Sequence, residues 1–328
     1  MKNLKKLMCG ALAMMMTVSL AACGSQGGDT ASGEPKIVGI SQYGNHSSLD
    51  NCREGFLQGL KEAGLEEGKD YTVHYENANF DANLANQIGQ SFSAEDAAIM
   101  VGIATPSATA CYAAAEDKDI PVIFTAITDP VGAKLDKGNI TGTSDVLPVE
   151  GQLKLIRAIQ PDAKTIGIVY TTSEPNSVYS VGVYEELAPK YGFTIEKVGV
   201  TAQSEVTQAV DSLIAKKVDC FSNLTDNNVV GVLGSILEKT NEAGIPVYGS
   251  EITQMEKGCV AGAGLDYVKL GVQTGKMAAK ILKGEATCQD MPYEIIEKYE
   301  LYSNSKALAA LNLQVPADLA EEVQDVGA

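Results

Sequence analysis

Thr105-Pro106-Ser107 opens a predicted helix with proline at its first position and a hydroxyl on either side. The free N–H groups and dipole of such a start favour an anion, such as a carboxylate, without help from arginine. N-capping of the helix itself is the plainer role of the same hydroxyls. Thr225-Asp226-Asn227 is a matching stretch later in the chain. Asp226 has two open readings, meeting a ligand ammonium or capping the helix that follows. Thr125 and Asp129, in Thr125-Ala126-Ile127-Thr128-Asp129-Pro130, follow a buried strand, and Asp before Pro is commonly a turn residue. Asn176 and Ser177, after Glu174-Pro175, can donate to a ligand or cap a helix. Ser250 and Glu251 sit at another strand end, while Gln42 and Tyr43 leave the first strand. Tyr43, Tyr170 and Phe124 are candidates for contact with a ligand side chain.

Residues for covalent or metal chemistry are scarce. The 328 residues include two histidines, His46 and His74, two arginines, Arg53 and Arg157, and no tryptophan. A His-rich metal site, a set of guanidinium clamps and a Trp stacking platform are therefore excluded. His46 follows the first strand without an ordered acid partner, which is weak support for acid–base catalysis, and His74 reads as a surface strand residue. No Gly-x-Ser-x-Gly elbow and no paired-histidine spacing occurs. Gly271-Val272-Gln273-Thr274-Gly275-Lys276-Met277 imitates a phosphate loop but is one residue short, lacks the magnesium-holding Ser/Thr and lies inside a helical pattern. No catalytic residue, metal or cofactor is expected.

The amino terminus reads as an export signal. Lys2, Lys5 and Lys6 precede an apolar run from Leu7 to Val18, too short for a spanning helix of ~20 residues. Leu20-Ala21-Ala22-Cys23 resembles a bacterial lipobox, with Cys23 as the lipidation site, and residues 24–35 read as a flexible tether. A plain signal peptide is the competing reading. The whole chain carries −17; without the three signal lysines, 22 cations face 42 anions and the charge is −20. Such a body repels nucleic acid and anionic headgroups. Cys52, Cys111, Cys220, Cys259 and Cys288 remain, without CxxC spacing, and read as small buried hydrophobes.

Positioning these residues requires alternating strands and helices. Strands are expected at 36–42, 71–76, 97–103, 120–125 and 140–142, with helices at 49–63, 84–94, 107–116 and 149–159 between and after them. A second series has strands at 165–169, 194–198, 218–221 and 245–248 and helices at 177–190, 205–215 and 227–242. One long helix is expected between Gly264 and Lys283, and a small one near Leu319. Asp119-Ile120-Pro121-Val122 recurs as Gly244-Ile245-Pro246-Val247, so two α/β lobes of one design are expected. Their parallel sheets would face each other across a cleft at the strand carboxyl ends. The divisions are 1–22 signal, 23–35 lipidated tether, 36–146 first lobe with 274–299 returning to it, and 147–273 second lobe with 300–328 partly returning.

Gly39-Ile40-Ser41-Gln42, Arg53-Glu54-Gly55-Phe56, Glu67-Gly68-Lys69-Asp70, Ala104-Thr105-Pro106, the segment 124–132, Thr141-Gly142-Thr143-Ser144-Asp145, Leu265-Asp266-Tyr267 and Gly275-Lys276-Met277-Ala278 together resemble the ABC-transporter substrate-binding lipoproteins of the tryptophan/tyrosine-uptake type. The resemblance covers about Lys36 to Pro316. It implies a type I periplasmic-binding-protein fold, with Rossmann-like lobes joined by three crossovers that close on a small ligand. It further implies a permease and its ATPase as partners, a monomer, and a lipid anchor on the extracytoplasmic face of a bacterial, Gram-positive membrane. An aromatic amino acid is the favoured ligand. Tyr43-Gly44-Asn45-His46, Pro175 and Glu251 depart from the pattern and bear on pocket size. A nucleoside-binding lipoprotein of the same fold, or a ligand-sensing module, is the alternative.

Overall fold

The computed structural model describes residues 34–296 and 299–327. The signal segment, Cys23 and nearly all of the tether lie outside the described residues. From Lys36 the chain runs β1 (Lys36–Gln42), α1 (Ser47–Glu62), β2 (Tyr71–Asn77), α2 (Ala82–Ala94), β3 (Ile99–Ile103), α3 (Thr105–Ala115), β4 (Val122–Ile127) and β5 (Ile140–Ser144). It continues through α4 (Val149–Ile159), β6 (Thr165–Thr171), α5 (Pro175–Leu187), β7 (Thr194–Val200), α6 (Gln203–Ala215) and β8 (Cys220–Ser222). Next come α7 (Asn227–Gly231), α8 (Leu233–Glu242), β9 (Val247–Glu251), α9 (Ile252–Lys257), β10 (Ala261–Leu265) and α10 (Tyr267–Leu282). The last elements are β11 (Glu294–Ile295), β12 (Glu300–Ser303), α11 (Ser305–Ala310) and β13 (Val323–Asp325).

Two sheets result, in the orders β11-β5-β4-β3-β1-β2 and β13-β12-β10-β9-β8-β6-β7. All pairs are parallel except β10 with β12. β3-β1-β2 in one sheet and β8-β6-β7 in the other repeat one winding, as the duplicated sequence pattern requires. Continuous apolar runs explain the parallel strands: β3 and β4 are buried at every position, as strands covered on both faces must be. The fold is α/β with two lobes of type I periplasmic-binding-protein architecture.

The chain passes between the sheets at residues 145–148, at Asp266, and between Ile295 and Glu300. The second crossing falls earlier than the expected boundary at 273, because the whole of α10 packs against α1 of the first lobe and Ala261–Leu265 is a strand of the second sheet. Its glycines hide it from pattern reading. A Cβ on Gly262 or Gly264 would lie 2.2 Å from the Gly249 carbonyl or 2.4 Å from that of Ser250, so close strand approach demands them. Asp266 then caps α10, accepting from the N–H groups of Val268 and Lys269. Two further expectations are corrected. The helix expected over 227–242 breaks at Val232, whose φ of −121° leaves the helical region amid a Val-Val-Gly-Val run of weak helix formers. Leu319 lies in a turn, and the small helix after β12 is α11. α11, β12 and β13 all join the second lobe, where Leu308 and Tyr302 are buried.

The false phosphate loop has a packing explanation. Gly55 and Gly59 of α1 lie against Gly271 and Gly275 of α10, where added Cβ atoms would meet backbone carbonyls at 2.1–2.3 Å. The glycines let the two helices touch backbone to backbone. The five cysteines, Cys52, Cys111, Cys220, Cys259 and Cys288, are free and buried, and burial pushes the Cys111 thiol up to about 12.

Candidate functional site

The starts of α1, α3, α7 and α10 and the ends of β4 and β5 converge on a cavity between the lobes. Its walls include His46, Ser48, Leu49, Ala104, Ala126, Thr128, Asp145 and Tyr267 from the first lobe and hinge, and Asn176, Thr225, Asn227, Val230 and Gln254 from the second. About 10 Å³ is open to the centre of a water-sized sphere, room for roughly one water. The lobes are held closed by polar pairs across the cleft: His46 Nε2 to Asn227 Oδ1 at 3.3 Å, Ser48 Oγ donating to Glu251 at 3.0 Å, and Asn51 Nδ2 donating to Thr253 Oγ1 at 3.3 Å.

Four carboxylates surround this region, Asp145, Glu174, Asp226 and Glu251, while no lysine or arginine is buried among the described residues. Asp145 accepts from Thr128 Oγ1 at 2.9 Å and from the Tyr267 hydroxyl at 2.5 Å. Burial raises its pKa, opposed by those two hydroxyls. Glu174 lies in a cradle of N–H donors from Asn176, Asn227 and Asn228. Burial, and then the neighbouring Asp226, raise its pKa, and the donors of that cradle oppose the rise. Glu251 caps α9 through the Thr253 N–H and is raised by burial. His46 is pushed down to about 4, chiefly by burial, so its ring is neutral.

Of the residues singled out from sequence, Asn176 and Asn227 line the cavity. Thr105 adjoins the lining Ala104, and its buried hydroxyl has no partner. Glu251 reaches the cleft through Ser48. The others stand behind the walls. Asp226 is 0% exposed and accepts from the N–H and hydroxyl of Thr171, from Ser177 Oγ at 2.7 Å and from the Val229 N–H. It is the cap of α7, engaged inside its own lobe, which is the second of its two readings. Asp226→Ala is accordingly expected to lower unfolding free energy by about 3 kcal/mol, as buried donors lose a charged acceptor. Chemical denaturation measures this; an unchanged midpoint would remove the capping assignment.

Ser177 is spent on Asp226, and Ser107 accepts from Ser41 Oγ at 3.0 Å. Gln42 is tied to Arg53, Asp50 and the Gly44 carbonyl. Tyr43 donates to the Phe80 carbonyl and Ser250 to that of Asn223. Thr125 accepts from Thr143 inside the first sheet, Asp129 accepts from the Gly132 N–H in a turn, and Tyr170 lies 6.0 Å from Lys197 Nζ on the second sheet. Ser48, Thr128, Asp145, Gln254 and Tyr267 were not singled out. Asp145 and Tyr267 lie in Thr141-Gly142-Thr143-Ser144-Asp145 and Leu265-Asp266-Tyr267, and both segments sit where the chain crosses between lobes.

Two lobes closing on a polar cavity define a class, the binding proteins that capture a small solute by enclosure. The family model for ABC transporter substrate binding proteins matches residues 37–326. The chain belongs to that family. It is 35% identical over 327 residues to a tyrosine-binding protein of Clostridioides difficile, covering 95% of this chain and 93% of that one. A structure described as an ABC domain in complex with L-Trp, from Streptococcus pneumoniae, superposes with TM-score 0.84 at 32% identity, covering 89% of this chain and 99% of the other. The ligand-free, open structure of a substrate binding protein with adhesive properties from Clostridium difficile gives 0.66 at 37% identity over the same shares. The family's role is to bind a small solute and deliver it to an ABC permease.

Proposed function

We propose that this protein captures an aromatic L-amino acid between its lobes, and presents the closed form to a permease and its ATPase. The carrying observation is the cavity itself: buried carboxylates without buried cations, beside apolar walls from Leu49, Ala126 and Val230. A ligand ammonium suits the first and an aromatic ring the second. The start of α3, with the unpartnered Thr105 hydroxyl and N–H groups free at the helix end, suits the carboxylate. The tyrosine-binding and L-Trp-bound relatives support the same class. Closure is supported by the cross-cleft pairs and by the better superposition on the L-Trp complex than on the more identical open structure. With room for about one water, the cleft must open to admit a ligand, a hinge equilibrium that the ligand shifts.

The proposal includes a monomer tethered through diacylglycerol on Cys23 at the extracytoplasmic face. A charge of −20 beyond the signal keeps that body off anionic lipid. Thermal-shift and calorimetric screening with the twenty amino acids and the common nucleosides tests the ligand class. Tyrosine or tryptophan at one hundred times its Kd should stabilise the protein by about 2.7 kcal/mol. Stabilisation by nucleosides with no response to aromatic amino acids would sink the reading.

A further inference from the structure

We infer that Glu174, without touching the ligand, sets the hydrogen-bonding polarity of the cavity, so that His46 and Asn176 present only acceptors there and, with Asp145 on the same wall, form a primary-ammonium site. The inference rests on the amino-acid reading above and deepens it.

The argument follows protons outward from one carboxylate. Glu174 is 1% exposed. Its Oε2 accepts from Asn227 N at 3.0 Å, Asn227 Nδ2 at 2.7 Å and Asn176 Nδ2 at 3.2 Å. Its Oε1 accepts from Asn228 N at 3.3 Å and Asn228 Nδ2 at 3.1 Å. An ionised carboxylate only accepts, so each amide must turn its NH₂ toward Glu174 and its oxygen away; for Asn176 the Thr225 carbonyl, accepting from the same Nδ2 at 3.3 Å, supports that orientation. Each of the two Glu174 oxygens meets a backbone N–H that can only donate, from Asn227 and from Asn228, and this favours the ionised form. The Asn227 oxygen then faces His46 Nε2 at 3.3 Å and requires a proton there. A neutral ring has one N–H, so Nδ1 is left as a bare lone pair. Both His46 Nδ1 and Asn176 Oδ1 are buried without a partner. Asp145, on the same cavity wall, uses each oxygen once, for Thr128 and Tyr267, and keeps further lone pairs.

Buried acceptors left without a partner are costly, and the cost is relieved by a donor. A primary ammonium carries three donors, no acceptor and the charge that offsets Asp145. A hydroxyl or amide ligand would meet only part of this demand, and a carboxylate at this spot would meet none of it. His46 and Asn176 line the cavity from opposite lobes, so an ammonium held by both would bridge them and favour closure. Glu174 is thus a positioning residue, acting through Asn176, Asn227 and the tautomer of His46.

Titration calorimetry of the purified protein with L-tyrosine and L-tryptophan, their deamino analogues 3-(4-hydroxyphenyl)propanoate and indole-3-propanoate, and the amines tyramine and tryptamine tests this. The deamino analogues should bind at least 100-fold more weakly than the amino acids. Glu174→Gln supplies an NH₂ where the asparagines need an acceptor. It should therefore shrink the discrimination between tyrosine and its deamino analogue below tenfold, a ratio that a merely structural loss leaves unmoved. Deamino analogues binding within tenfold of the amino acids would overturn the inference, as would a Glu174→Gln variant that weakens both equally. If aromatic amino acids fail but the amines bind, the ligand class above is wrong and the ammonium site stands. If neither binds, both fall.

Discussion

Lowering the pH from 7 to 5 is expected to weaken ligand binding about 20-fold through His46 alone. In the closed lobes burial holds the ring near 4, opposed by the Asn227 hydrogen bond; the Lys257 charge lowers it further and Asp50 raises it. Opening the cleft parts His46 from Asn227 and returns the ring toward its ordinary 6.5. The sign follows from that difference. Well above pH 6.5 the ring is neutral in both arrangements and closure has no proton to expel. Between 6.5 and 4 the open form takes up a proton that the closed form refuses, so closure weakens as pH falls through this window. A bound ammonium steepens the effect, since a protonated ring would face a cation. Calorimetry at pH 7 and pH 5 measures the change. His46→Gln should retain both a donor toward Asn227 and an acceptor, and isolates the ring's share from that of Asp145 and the other carboxylates. Wild-type and variant affinities that fall together would remove His46 from the account.

Gly275→Val is expected to destabilise the protein by about 3 kcal/mol or more and to weaken ligand binding with it. A Cβ at Gly275 would stand 2.1 Å from the Phe56 carbonyl, a contact that only separation of α1 and α10 can relieve. The consequence reaches the site because α1 begins next to His46 and Ser48 and α10 begins with Tyr267, all three on the cavity wall. Separating the helices therefore shifts the hydroxyl that orients Asp145. Gly234→Ala is the control: it is helical, meets nothing within 4 Å, and should be neutral or stabilising by about 0.5–1 kcal/mol. Urea denaturation separates the two. Equal midpoints for the variants would show that the helix crossing tolerates bulk.

How much was legible differs between fold and site. Apolar runs bounded by helix-start chemistry marked strands such as Ile99–Ile103, because a strand covered on both faces must be apolar throughout. The repeat around Ile120-Pro121 and Ile245-Pro246 marked the duplication, which the matching windings β3-β1-β2 and β8-β6-β7 bear out. Ala261–Leu265 was illegible, since Ala and Gly carry no β signal and are required there by backbone contact with β9. In the site, pattern found the carboxyl-end segments but not which polar residue in each one turns inward. Thr225-Asp226-Asn227 shows why: Asp226 and Asn227 are adjacent, yet the first is consumed by Thr171 and Ser177 from neighbouring elements while the second faces the cleft.

The sequence by itself determined the α/β class, the two-lobed duplication, the acidic body and the scarcity of cations for a binding site, because composition and periodicity are properties of residues in order. Tertiary structure alone decided which carboxylate lies on the cavity wall. Asp226, Glu174 and Glu251 are engaged by donors from other elements, and Asp145 at the hinge remains on the cavity wall with acceptor capacity to spare. Such a difference depends on hydrogen-bond partners brought from distant parts of the chain, and no local pattern encodes it.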